Sequence, residues 1–222
     1  MKINEHNISI QKNARYCTLG SPSVNTKSVW FVLHGYGHLA SEFINNFEII
    51  NTEKNYIIAP EALNKFYLKG FYGKVGATWM TKEDRENEIN DYVNFLDSVY
   101  EKEITKFDKT KIKINVIGFS QGCPTAVRWL VSGKSNVDSL TLWSGEFPHD
   151  SNPPKVKSVL ENVKINFVIG DGDGIIDKKR FEEELERIKK LELNLKIHKF
   201  KGGHEINKDM LIEIVSELSA SN

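Results

Sequence analysis

Three side chains of this 222-residue sequence have types and neighbours suited to covalent chemistry: Ser120 in Gly118-Phe119-Ser120-Gln121-Gly122, Asp173 in Gly170-Asp171-Gly172-Asp173-Gly174, and His204 after Gly202-Gly203. A serine hydroxyl becomes a nucleophile when an imidazole takes its proton. A carboxylate on the far ring nitrogen then holds the tautomer and steadies the imidazolium. Glycines flank Ser120 because a nucleophile displayed on a tight strand-to-helix turn brings two backbones close together. Attack on a carbonyl creates an oxyanion that needs two converging N–H donors, and loss of one costs about 100- to 1000-fold in rate. The backbone amides of Tyr36, in His34-Gly35-Tyr36-Gly37, and of Gln121 are the candidates. His34 itself is expected to hydrogen-bond its own loop. Asp171 is the reserve for Asp173, since aspartates in glycine-rich turns also serve as turn formers, and Asp177 reads as the N-cap of the next helix.

These residues need elements to hold them. Short, nearly continuous apolar runs at Val29–Leu33, Tyr56–Ala59, Ile112–Ile117, Leu140–Trp143, Ile165–Ile169 and Leu195–Phe200 read as strands covered on both faces, as in a parallel sheet. The weaker segment from Asn7 to Leu19 is expected at the sheet edge, as an antiparallel strand or hairpin. Ile89, Tyr92, Val93, Leu96 and Tyr100 recur at helical spacing between Thr81 and Glu103, with Thr81 and Asp84 as a capping box. A helix from Gln121 to Ser132 follows the serine turn and ends at Gly133. Phe181, Leu185 and Ile188 mark another helix, and Ile206, Met210, Leu211, Ile214 and Leu218 mark the last. Strands alternating with helices of this length predict a three-layer α/β sandwich on a mainly parallel sheet. Ligands in such sheets bind beyond the carboxyl ends of the strands, where Ser120, Asp173 and His204 each directly follow a separate predicted strand. No repeat or linker divides the chain, so residues 1–222 are expected to form one domain.

Composition narrows the partners. Lys+Arg and Asp+Glu each number 30, so no net positive charge draws the chain to nucleic acid or anionic lipid. The strongest apolar run, Val29–Leu33, is far too short for a membrane span, and no apolar stretch near Met1 suits a signal peptide. Cys17 and Cys123 stand far apart and read as free thiols, which makes the cytoplasm the expected location. No metal site is expected: glycines around His34 and His38 argue against a helix presenting both, and Asp171–Gly174 lacks the downstream glutamate of a calcium loop. The glycine spacings match neither a dinucleotide fingerprint nor a P-loop, so no cofactor is expected.

Taken together, these motifs resemble those of the phospholipase/carboxylesterase group of α/β-hydrolases, over nearly the whole chain from about Trp30 onward. Phe119 and Gln121 within the serine motif are typical of that group, and His34-Gly35-Tyr36-Gly37 is similar to its HGxG loop. Trp79 resembles a tryptophan common near the acyl site, and Ser144-Gly145-Glu146-Phe147-Pro148 resembles the SGxLP segment, which puts Phe147 beside the substrate. The resemblance implies an α/β-hydrolase fold without a separate cap domain. It implies hydrolysis of a small-molecule carboxylic ester, thioester or lysophospholipid through an acyl-enzyme at Ser120, with His204 as base and Asp173 as acid. Departures occur at Cys123 and Pro124, where glycine often follows the motif. Gly174 and Asp177 replace prolines of the acid loop, and Glu146 stands at an often apolar position near the acyl site. The aromatic stretch Glu61–Met80 is expected either to wall the acyl pocket or to pack as an ordinary long loop. Acyl transfer to another acceptor, or perhydrolysis, would use the same residues. A non-catalytic binding role is disfavoured because the full set is present.

Overall fold

In the computed structural model, which describes residues 3–220, each apolar run becomes a strand and each helical pattern a helix. In chain order the elements are β1 (Tyr16–Leu19), β2 (Ser28–Leu33), α1 (Ala40–Phe43, continued by a 3-10 helix over Ile44–Ile50), β3 (Asn55–Pro60), β4 (Asn64–Tyr67), β5 (Val75–Thr78) and α2 (Arg85–Ile104). They continue as β6 (Lys113–Phe119), α3 (Gly122–Ser132), β7 (Ser139–Trp143), α4 (Pro153–Leu160), β8 (Lys164–Gly170), α5 (Lys178–Lys189), β9 (Leu195–Phe200) and α6 (Lys208–Ala220).

The main sheet is seven-stranded, ordered β1-β3-β2-β6-β7-β8-β9. Edge strand β1 is antiparallel to β3, and every other neighbouring pair is parallel. Alternate residues of the buried strands face two cores. Val29, Phe31 and Leu33 of β2 join the core covered by α2, α3, α4 and α5, while Trp30 and Val32 join the core covered by α1 and α6. This is the mainly parallel three-layer α/β sandwich that the alternating pattern predicts, with an antiparallel edge strand that takes up only Tyr16–Leu19 of the Asn7–Leu19 segment.

Four local differences have physical reasons. The predicted capping box is absent: α2 begins at Arg85, and Asp84 precedes it in a left-handed conformation (φ 47°) without a side-chain cap. Asp84 instead accepts the Asn87 amide at 2.7 Å, while Glu88 receives Thr81 and also Asn64 at 2.6 Å, tying the helix to β4. The serine strand runs on to Phe119, two residues beyond its apolar pattern, because Gly118 and Phe119 stay in register with Leu142 and Trp143. The stretch Glu61–Met80 is no open loop but carries the β4–β5 hairpin. No apolar stripe predicts α4, yet Asn152 caps it through Lys155 N–H and Pro153 and Pro154 open it.

Candidate active site

Ser120 follows β6 at φ 53°, a left-handed conformation that a non-glycine residue adopts only under constraint. The constraint is visible on both sides. Its N–H donates to Trp143 O at 2.9 Å, and its carbonyl accepts Cys123 N–H at 2.9 Å. A Cβ at Gly118 would come within 2.4 Å of Gly122 O, and one at Gly122 within 2.2 Å of Leu33 O. Both glycines are therefore required by backbone approach, as the sharp turn predicts. Cys123 is fully buried with its thiol aimed at Gly118 O, and burial above all pushes its pKa far up, so it is a packing residue and no rival nucleophile.

The acid loop separates its aspartates by role. Asp173 is 7% exposed; its Oδ1 accepts the amides of Ile175 and Ile176, each at 2.9 Å, and its Oδ2 lies 2.9 Å from His204 Nδ1. Burial opposes its ionisation, but the Ile176 and Ile175 amides and His204 outweigh it and hold the carboxyl below its ordinary range. Asp171 instead accepts Gly202 N–H at 3.1 Å, holding the loop that carries His204. Asp177 caps α5 through Arg180 N–H, as expected. His204 packs against Phe119 with ring centroids 4.9 Å apart, and Trp143 Nε1 donates to Glu205 O to hold the next residue. Among the described residues, no hydrogen bond joins the Ser120 hydroxyl to the imidazole. In sites without substrate such bonds are often long and close only on binding.

The amides of Tyr36 and Gln121 have no acceptor among the described residues, and both loops are pinned. Gly37 N–H donates to Ala77 O at 2.8 Å, so the β4–β5 hairpin braces the glycine loop. The Gln121 side chain accepts Trp79 N–H at 3.2 Å and donates to Thr78 Oγ1 at 2.9 Å and Met80 O at 3.1 Å. His34 takes the modest role expected of it: Nε2 accepts Ala62 N–H, and Nδ1 donates to Gly35 O at 2.8 Å. Burial pushes its pKa down to about 4, so the ring is neutral.

The pocket candidates are placed differently. Trp79 is buried between His34 and Tyr92 and donates its indole N–H to His34 O at 2.8 Å. Phe147 is buried beneath Arg187 of α5, and its amide donates to Glu184. Glu146 turns to Arg180 at 2.7 Å. Of the loop aromatics, Phe66 packs on Tyr36 with centroids 5.0 Å apart, whereas Phe71 and Tyr72 stand 84% and 87% exposed at the hairpin tip.

Two further residues stand at the site with no role predicted for their side chains, although Ser144 opens the SGxLP-like segment. The His38 ring lies parallel to Phe119 at 5.8 Å, beside His204 in space though far from it in sequence. Ser144, at the end of β7, repeats the Ser120 geometry with φ 48° and N–H donated to Val168 O, and its buried hydroxyl has no partner among the described residues.

The parallel sheet with a strained serine at the end of a central strand defines a protein of the α/β-hydrolase class. The Zea mays acyl-protein thioesterase 2 structure aligns with TM-score 0.72 at 17% identity, over 94% of this chain and 99% of that one. The structure of esterase PE8 aligns at 0.69 and 21%, over 94% and 99%, and the Bacillus cereus carboxylesterase at 0.68 and 14%, over 94% and 95%. A family model described as Phospholipase/Carboxylesterase matches residues 15–222, and the chain belongs to that family as a carboxylesterase-type hydrolase. Among curated proteins, mitochondrial chaperonin CPN60 of Plasmodium falciparum is 26% identical over 147 residues, 65% of this chain. The chain spans 19% of that protein's length, and the match brings no chaperonin role to it. Among the described residues, no helix is long and apolar enough to cross a membrane.

Proposed function

We propose that the enzyme cleaves carboxylic esters or thioesters through an acyl-enzyme at Ser120, with His204 as general base and Asp173 as its orienting acid. The observation that carries this reading is the 2.9 Å Asp173–His204 hydrogen bond, beside a serine held in a left-handed turn. Asp173 takes Nδ1–H, which leaves the Nε2 lone pair for the Ser120 proton. The Ser120 oxygen bonds to the substrate carbonyl carbon as Nε2 takes that proton. The resulting oxyanion is held by the amides of Tyr36 and Gln121. Collapse of the intermediate breaks the bond to the leaving alcohol or thiol, which receives the proton from His204. Water then repeats the sequence and frees the acid. The N-terminus of α3, which starts two residues after Ser120, adds positive potential at the oxyanion.

Residues 1–222 are read as one catalytic unit, with Trp79 and Phe147 supporting the acyl site from behind. A fluorophosphonate probe tests the nucleophile: the intact protein is expected to label once and Ser120→Ala not at all. An unlabelled intact protein would sink the proposal. A panel of p-nitrophenyl esters, acyl-CoAs and lysophospholipids, with Ser120→Ala as control, identifies the substrate class.

A further inference from the structure

On the sheet face covered by α1 and α6, three groups that the proposed reaction does not use come together. His198 of β9 is 4% exposed, and Glu213 and Glu217 stand four residues apart on α6, so both reach the same side of that helix. One ligand-capable atom from each of the three lies within 4.8 Å of both others. We propose that His198, Glu213 and Glu217 form a binding site for one divalent transition-metal ion of the zinc kind, separate from Ser120 and its partners.

The donor set has the features such a site needs. Ligands about 2.1 Å from a tetrahedral zinc ion lie about 3.4 Å from one another, so rotamer shifts of the two glutamates close this group on an ion. His198 Nε2 is 2.9 Å from Asn166 Oδ1 of β8, which places the ring proton on Nε2 and leaves the Nδ1 lone pair. An outer hydrogen bond of this type commonly orients a ligating histidine and sets its tautomer. Burial above all holds the imidazole below its ordinary pKa, with Lys196 acting the same way against Glu217 and Glu213.

Charge points the same way. Two carboxylates face the imidazole; Lys196 Nζ sits 2.6 Å from Glu217 Oε1, and Lys164 lines the adjoining cleft. Glu213 is exposed and has no ion-pair partner among the described residues. A divalent ion neutralises this group and takes over or shares Glu217 with Lys196. A cleft of about 490 Å³ lined by Lys164, Asn166, Lys196 and Glu217 opens on the Glu217 side of the group. One nitrogen and two oxygens, with room for water, favour zinc over calcium or magnesium, which take all-oxygen shells. An ion here would clamp β9 to α6, the two elements that bracket the segment carrying His204.

The test uses the full-length protein stripped with a chelator, dialysed against Zn2+ at pH 7.5, with metal content and melting temperature measured. One zinc per chain and a raised melting temperature are expected, with no rise in Mg2+. Glu213→Gln/Glu217→Gln, confined to side chains at the surface of α6, should weaken binding by more than the about 10- to 100-fold typical of losing an outer partner. His198→Asn with an unchanged circular dichroism spectrum should lose the ion, whereas His204→Ala should keep it. No zinc bound at submillimolar Zn2+, or binding kept in the double glutamine variant and lost in His204→Ala, overturns the proposal.

Discussion

Replacing Asp173 by asparagine should abolish most turnover while leaving the fold in place, and the hydrogen bonds show why. Asp173 Oδ1 accepts two amides, Ile175 and Ile176, and Oδ2 meets His204 Nδ1. An asparagine oxygen can keep both amides only if its NH2 takes the Oδ2 position and points at Nδ1. The flipped alternative would abandon two hydrogen bonds worth about 1 kcal/mol each and set N–H against N–H, so it is disfavoured by about 2–3 kcal/mol or more. With NH2 at Nδ1, the imidazole must carry its proton on Nε2, where it can no longer accept one from Ser120. The wrong tautomer in a triad of this kind lowers kcat about 10,000-fold, equivalent to about 5.5 kcal/mol of transition-state stabilisation. Asp171→Asn is the control, because its oxygen can still accept Gly202 N–H, and its kcat should stay within a few-fold of the parent. The assay is kcat for p-nitrophenyl butyrate hydrolysis, with circular dichroism to verify folding. Asp173→Asn retaining kcat within tenfold of the parent, or Asp171→Asn falling equally far, would refute the assignment.

Three further outcomes follow from the geometry. Because His34 has a folded pKa of about 4 against 6.5, the unfolded chain takes up its proton first as pH falls. Stability attributable to His34 is therefore complete above pH 6.5 and declines by about 3 kcal/mol toward pH 4. His38 and His198 are shifted in the same direction, so urea unfolding against pH should compare the parent with His34→Gln, whose slope should be shallower. Gly122→Ala sets its methyl against the backbone oxygens of Leu33 and His34 and should cost about 3 kcal/mol or more. Gly174→Ala, with open space around it, should change unfolding free energy by less than about 0.5 kcal/mol. Ser144→Gly removes a buried orphan hydroxyl and a left-handed strain together, and calorimetry should show a gain of about 1 kcal/mol.

The structure also explains why so small a motif suffices to hold a strained serine. Ser120 and Ser144 close successive strands by donating to Trp143 O and Val168 O, so each turn continues the ladder of the next strand. Gly145 permits the second turn to come close to the first, since a Cβ there would meet Ser120 O and Cys123 Sγ at 2.4 Å. The strain is thus supported by packing on both neighbouring strands.

Apolar runs and helical periodicity determined the six parallel strands of the main sheet, the main helices and the sandwich, because burial on both faces leaves continuous apolar runs that local composition records, whereas the β4–β5 hairpin left no such run. They also placed Ser120, Asp173 and His204 at strand ends, since the glycines that admit close backbone approach are themselves visible in the sequence. The choice between Asp173 and Asp171 was different: both are turn aspartates, and only the packed loop gives one to His204 and the other to Gly202 N–H. The capping box failed for a related reason, since Glu88 and Asp84 found long-range or alternative partners in Asn64 and Asn87. Tertiary structure likewise brought His38 against Phe119 and set His198 opposite Glu213 and Glu217. Such meetings depend on which face of one element lies against another, and no short stretch of chain encodes that.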